Sequence, residues 1–310
     1  MPSSPSSVVR GTLAIATVAI AFGSIGTVAT LFYRSGATPY GFTAGRALAG
    51  AVVLLAILAA KGGIITAIRL IPRSERAGVA GIVIASSVVT ICLNLAFGLM
   101  AVALVVAVYY LYPLGIAAWG ALNGEEPLTP ARVLGVVLGV VGVFVVLVPQ
   151  AVGSTLSAGG VALACAAAIA NIVVFRLMHS SCPSVTPIQL SAWMLSGNAF
   201  AAIAVALVAG QAAAALAPLI DPRLVIALIV AGVATAALPS VLLPYGIRRA
   251  GATRSSTIMF GEPTSSVLFA ALILGQALTI TIAAGIAAVV LGAAIVNLSG
   301  RGELSPGLTA

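Results

Sequence analysis

Charge is scarce in this chain: 6% of its 310 residues are charged, and only six residues are acidic. A soluble domain carries about a quarter charged residues, so this composition excludes a water-solvated globule. Cysteine is scarcer still. Cys92, Cys165 and Cys182 are odd in number and unspaced for metal, and two lie inside apolar runs, so they read as small apolar side chains rather than a disulfide framework or a metal centre. His179 is the one histidine and lies at a span end, where solvation is its expected state. There is no Gly-x-x-x-x-Gly-Lys phosphate loop and no His/Asp pair beside a serine nucleophile, so an ATP-driven pump or a membrane hydrolase would lack its chemistry. No metal, cofactor or enzymatic activity is expected.

What the chain has is hydrocarbon-length runs. Hydrophobic residues make up 61% of it, and the mean hydropathy is +1.23. Runs of about 20 apolar residues, each able to cross roughly 30 Å of bilayer, recur from end to end. Ten are expected, at residues 11–33, 40–60, 77–98, 101–121, 131–149, 158–178, 187–209, 223–246, 254–274 and 279–298. Lipid offers the backbone no partner, and the pattern lacks the two-residue alternation of barrel strands, so the spans should be helices. The first run exceeds 20 residues and ends at Phe32-Tyr33-Arg34 without a small-residue cleavage pattern, so it is expected to be retained rather than removed as a signal peptide.

The net charge of +8 could suggest nucleic acid, but the charges sort by side instead. With the N terminus inside, the inner segments hold Arg10, Lys61, Arg69, Arg73, Arg76, Arg132, Arg176, Arg248, Arg249, Arg254 and Arg301, and the outer ones only Arg34 and Arg223. That asymmetry encodes orientation, places both termini in the cytoplasm and leaves nucleic acid without support.

The chain also repeats itself. Residues 94–146 overlay residues 244–296 without a gap, setting Pro113, Leu122, Leu128, Thr129, Gly135 and Gly142 on Pro263, Leu272, Leu278, Thr279, Gly285 and Gly292. Five spans per copy is an odd number, so the second copy must enter the membrane from the opposite side. The expected units are residues 11–149 and 158–298, joined through the uncharged Gly/Ser segment from Gln150 to Ala158. The fold class is therefore an all-α integral membrane protein, ten transmembrane helices in two inverted five-helix repeats, with no extramembrane domain large enough for a soluble active site.

Each copy ends in a proline-containing span, a Glu/Gln-x-Leu-Thr loop and a glycine-rich span: Pro113, Glu126-Pro127-Leu128-Thr129 and Gly135, then Pro263, Gln276-Ala277-Leu278-Thr279 and Gly285. This arrangement resembles the duplicated EamA module of the drug/metabolite transporter superfamily. Arg46 in Ala44-Gly45-Arg46-Ala47 resembles an arginine common in that family's second span, and Glu262-Pro263 its ninth-span motif. Leu243-Pro244-Tyr245 and Ile258 to Pro263 are similar to the threonine/homoserine exporter group, while Gln276 departs from the usual glutamate. The resemblance implies a ten-helix basket in a bacterial-type inner membrane, with spans 1, 3, 4, 6, 8 and 9 lining a cavity and spans 5 and 10 peripheral. It implies gradient-driven export of a small solute, an amino acid or a drug-like molecule. The sequence leaves a monomer or a homodimer open.

Ser255, Met259, Glu262, Ser266 and Phe269 step by three or four along span 9, and their repeat partners Val105, Tyr109, Tyr112, Ile116 and Trp119 do so along span 4. The two stripes are expected to face each other, aromatics opposite a carboxylate and hydroxyls, which suits an amphipathic or zwitterionic solute. Trp119, near the inner boundary, fits an interfacial belt as well as a cavity wall. Trp193 and Tyr245 join the cavity candidates, and Asn94, Asn171, Gln189 and Asn198 either touch solute or bridge helices. Glu262 lies about eight residues, roughly 12 Å, into its span, where an unpaired carboxylate is costly. It either carries the coupling proton and meets cationic groups, or makes a structural hydrogen bond beside Pro263. Arg46, the one basic residue deep within a span, either snorkels outward, binds a substrate carboxylate or ties helices together. Gly135, Gly139, Gly142, Gly285 and Gly292 fit close helix packing.

Overall fold

The computed structural model describes residues 5–61, 71–124, 129–151, 155–275 and 277–299. Arg69, Glu125 to Leu128, Gln276, Arg301 and residues 152–154 of the repeat junction lie outside them. Among the described residues every regular element is helical. Nine helices among the described residues are long and apolar enough to cross a membrane: α1 (Ser6–Arg34), α2 (Pro39–Ala60), α3 (Arg73–Phe97), α4 (Val102–Leu122), α5 (Pro130–Leu147), α6 (Ala158–Ser180), α7 (Pro187–Val208), α8 (Pro222–Ala250) and α9 (Ala252–Leu274). The tenth, α10 (Ile280–Ser299), is apolar over the shorter stretch Ile280–Val296.

The helix starts are written locally. Thr38-Pro39, Thr129-Pro130, Thr186-Pro187 and Asp221-Pro222 each put an oxygen acceptor at the cap and a proline at the first helical position. The cap side chains accept from the N–H groups of Gly41, Arg132, Gln189 and Arg223. Proline is suited there because its missing N–H is one that no intrahelical carbonyl would receive. Gln189, a candidate for bridging helices, closes a capping box by accepting from the Thr186 N–H at 3.0 Å. The segment from Gln211 to Arg223 is more than a connection, since it holds a short helix at Ala212–Leu216 and a 3₁₀ turn at Ala217–Leu219.

Packing shows the twofold relation. α1 packs on α8 and α3 on α6; α9 packs on α1 and α4 on α6; α2 pairs with α7 and α5 with α10. Exchanging each helix for the one five places on returns the same set. The α5/α10 crossing also fixes the sense of the relation. A Cβ added at Gly142 would lie 2.7 Å from the Gly285 carbonyl oxygen, and one added at Gly292 would lie 2.5 Å from that of Gly135. Residue numbers rise along one helix as they fall along the other. Two equivalent helices that run antiparallel are inverted copies, and their glycines let the backbones touch, as small residues do where lipid supplies no hydrophobic drive between helices.

Four of the spans that read as continuous are interrupted. In α4 the helix stops at Tyr109 and restarts at Tyr112, and in α9 it stops at Ile258 and restarts at Gly261. Pro113 and Pro263 cause both breaks: each lacks the N–H that would bond the carbonyl four residues back, and the Glu262 N–H takes the Met259 carbonyl at 3.0 Å. α1 bends at Ser24, whose hydroxyl donates back to the Ala21 carbonyl at 2.7 Å between Gly23 and Gly26. In α8 a π-turn spans Val233–Ala237, with the Leu238 N–H reaching back five residues to the Val233 carbonyl.

Candidate functional site

The two proline breaks meet. Tyr110 and Phe260 are repeat partners, each three residues before its proline, and their rings lie 6.2 Å apart. Tyr110 is 2% exposed and Phe260 fully buried, so the contact sits at the centre of the bundle on the pseudo-twofold axis. The Phe260 ring fills the space that a side chain at Gly139 of α5 would occupy. Around Tyr110 the aromatics form one group: Tyr109 at 5.5 Å, Tyr112 at 5.8 Å, and Phe175 of α6 at 5.4 Å from Tyr112. Such offset and edge contacts are worth about 0.5–1.5 kcal/mol each beyond area burial.

Glu262 stands against this group. It lies in the first turn of the half-helix Gly261–Leu274, where unpaired N–H groups favour a negative charge. Its main chain is held close to α1, since a Cβ at Gly23 would lie 2.7 Å from the Glu262 carbonyl oxygen. The carboxylate acts electrostatically on Tyr109, Tyr110 and Tyr112, and Arg46 is the cation that acts on it. The Tyr110 hydroxyl lies beside the Glu262 carboxylate, and the hydroxyls of Thr27, Thr253 and Ser255 are enclosed without a partner.

Arg46 reaches across from α2 to α8. Its Nη1 donates to the Thr235 carbonyl at 2.7 Å. In an α-helix that carbonyl would accept from residue 239, but Pro239 has no N–H, so the oxygen is left for another donor. Pro244 does the same to the Ser240 carbonyl, which accepts from the Ser191 hydroxyl of α7. Two prolines in α8 thus free two carbonyls, and the paired helices α2 and α7 each supply the missing donor. Helix tying, one of the three roles open to Arg46, is therefore present in the geometry.

The other sequence candidates divide by position. Met259 and Ser255 lie in the packed interior at 3% and 0% exposure, and Tyr112 and Asn171 are likewise buried. Tyr109, Trp193, Tyr245, Ser266 and Glu262 keep part of their surface open. Trp119 is 50% exposed. Tyr245 is covered by the Arg249 guanidinium, 3.7 Å from its ring centre. Asn94 donates to the Thr90 carbonyl of its own helix at 2.8 Å. Two central participants, Tyr110 and the Thr235 carbonyl, were not among the candidates. Both had a signal in the chain: an aromatic three residues before each repeat-related proline, and a proline four residues after Thr235.

At the α6–α7 end the helices are tied by polar contacts. The buried Glu75 accepts from the Ser184 N–H with both oxygens at 3.2 Å, and Arg248 donates to the carbonyls of Val185 and Met178 at 2.7 and 3.3 Å. His179, exposed, also has Nδ1 3.3 Å from the Ile247 carbonyl. Burial pushes the Cys182 thiol up from its ordinary pKa, against the pull of Arg248 beside it.

Inverted five-helix halves with broken helices meeting between them define a class, membrane proteins whose sites lie at the repeat interface. A model of the EamA-like transporter family matches the chain twice, over residues 9–148 and 158–298. The protein belongs to that family. A solved crystal structure of a protein, 20% identical over 96% of this chain and 99% of its own, shares the fold with a TM-score of 0.73. In all, 29 chains of solved structures match, while no curated protein does.

Proposed function

We propose that the protein is a secondary transporter that exports a small metabolite, an amino acid being the class its site suits best, by alternating access between the inverted halves. The drive is a proton gradient acting through Glu262, without enzymatic turnover or a cofactor. The observation that carries this reading is the meeting of the α4 and α9 breaks. A carboxylate at the head of a half-helix and a tyrosine group meet there, between the inverted halves, where inverted-repeat transporters hold substrate and coupling ion. The sorting of basic residues supports an inner-membrane orientation with both termini cytoplasmic. If Glu262 carries the coupling proton, its charged and neutral forms must favour different cavity states, because only a differential interaction shifts an equilibrium.

Glu262→Gln keeps the shape and removes the titration. In sealed proteoliposomes the variant should lose accumulation of solute driven by an imposed pH difference, while binding and exchange at equal concentrations persist. Accumulation that survives in the variant would assign Glu262 a structural or binding role alone. Absence of flux for every solute in the wild type would favour a membrane receptor or assembly protein.

A further inference from the structure

α1 and α8 touch through their backbones near the start of α1, and the contact sets two arginines side by side. A Cβ added at Gly11 would lie 2.7 Å from the Cβ of Arg249 and 3.0 Å from the Ala250 nitrogen, and one added at Gly246 would lie 3.0 Å from the Gly11 carbonyl oxygen. Arg10 precedes Gly11, so its side chain and that of Arg249 start from neighbouring points, and both are long enough to reach one shared anion. Among the described residues no carboxylate comes within the 4.0 Å of an ion pair with either. Arg249 lies 3.7 Å over the Tyr245 ring centre and donates through Nη1 to the Tyr245 carbonyl at 3.4 Å, which leaves its Nε and Nη2 donors uncommitted. Like charges placed together repel, and an anion between them removes that cost.

Both side chains belong to faces turned away from the core. Ile15, Val18 and Ala19 of α1, with Leu243 and Ile247 of α8, join the core cluster that contains Tyr110 and Phe260. On the opposite side of α1, Arg10, Leu13, Thr17 and Ile20 step by three or four and are exposed, Leu13 at 62% and Ile20 at 53%. On the opposite side of α8, Leu238, Tyr245 and Arg249 share a face by steps of seven and four, and Leu238 is 48% exposed. In a membrane these faces meet lipid, so each arginine ends an apolar stripe near a span end, where the headgroups lie.

The other copy of this crossing shows that the packing does not call for charge. Gly160 of α6 takes the place of Gly11, with Leu99 and Met100 against it where Arg249 and Ala250 stand, and Gly159 takes the place of Arg10. Sorting of basic residues by side explains the sign of the two arginines but not their meeting on one outward groove. We propose that Arg10 and Arg249 bind the phosphate of an anionic phospholipid whose acyl chains lie along Leu13, Ile20 and Leu238. Guanidinium N–H groups match phosphate oxygens, and basic pockets between spans hold such headgroups. The apolar stripes beneath favour a lipid over free phosphate, which would cover none of that surface. The site stands on these contacts and not on the transporter reading.

The test uses the wild-type protein in detergent, titrated with phosphatidylglycerol, with phosphatidylcholine of the same acyl chains and with inorganic phosphate, and thermal stabilisation gives the affinities. Phosphatidylglycerol should bind about ten- to thirtyfold more tightly than phosphatidylcholine, roughly fivefold for each arginine beside an anionic headgroup. Arg10→Gln combined with Arg249→Gln should lose that preference, and each single substitution should lose part of it. Arg34→Gln, which changes an exposed arginine at the other end of α1, should keep it. The lipid comparison leaves the protein unchanged, and Arg10 is exposed, so the wild type and Arg10→Gln decide the matter even if the double variant folds poorly. Equal binding of the two lipids, no binding of either, or a preference that survives both substitutions overturns the site and leaves the arginines to orientation alone. Stabilisation by inorganic phosphate at the concentrations where the lipid acts overturns the lipid assignment in favour of a free anion.

Discussion

Gly292→Ala adds one methyl group where the structure has no room for it. The new Cβ would lie 2.5 Å from the Gly135 carbonyl oxygen and 2.8 Å from the Gly139 nitrogen, both backbone atoms of α5 that no rotamer change can move. Ordinary contact at that carbon begins near 3.4 Å, so α5 and α10 must part by about 1 Å, and a gap of that size forfeits a quarter to a half of each dispersion contact along the crossing. Overpacking of this kind costs about 1–3 kcal/mol. At about 2–4 °C per kcal/mol for a large domain, apparent melting in detergent should fall by several degrees. Gly142→Ala, its repeat partner, should behave alike, because its Cβ would lie 2.7 Å from the Gly285 carbonyl oxygen. Gly159→Ala is the control: nothing lies nearer than 3.5 Å to its Cβ, and alanine is the better helix former. Melting of Gly292→Ala level with wild type and with Gly159→Ala, followed by fluorescence at matched heating rates, would refute the close antiparallel crossing and the inversion derived from it.

Reporter fusions after Gln150 and at the C terminus should report opposite sides of the membrane, outside and inside; signals from one side would contradict five spans per repeat. In a background lacking Cys92, Cys165 and Cys182, cysteines at Tyr109 and Ser266, which keep open surface, should react with a water-soluble thiol reagent faster than cysteines at Tyr112 and Ser255, which are buried. Protection of all four, with reactive loop controls, would show that these faces hold no water.

The helices, their number and their inversion were legible in the chain because each rests on a local or additive property: span length, charge sorting, cap-and-proline starts and an odd number of spans per repeat. The site was legible only in part. Stepping by three or four along spans 4 and 9 selected Tyr109, Tyr112, Met259 and Glu262, but it assumed unbroken helices. The helices break instead, and Tyr110 and Phe260, each one residue off the stripe, meet at the breaks. The Arg46 bond to Thr235 joins residues 189 apart and depends on a π-turn, so no local pattern could show the pair, although Pro239 marked the orphaned carbonyl.

Duplication gives two equivalent frames, and the substrate proposed for them is a single molecule without twofold symmetry. A ligand on the axis therefore needs the copies to differ in side chains while agreeing in backbone. They agree where the backbone is set: Pro113 with Pro263, Gly135 with Gly285, Gly142 with Gly292. They differ where a ligand would be read: Tyr112 stands where the second copy has Glu262, Val105 where it has Ser255, and Tyr110 where it has Phe260. Gly98 likewise stands where the second copy has Arg248, the residue that ties α8 to the α6–α7 end, so that end is held by hydrogen bonds. At the α1–α2 end, Phe32, Phe42, Leu228 and Ala231 form an apolar cluster. Under the proposed alternating access, opening one end would break directional polar contacts, while opening the other would expose apolar surface to water. Because these costs respond differently to charge and hydration, the two ends of the bundle are not energetically interchangeable.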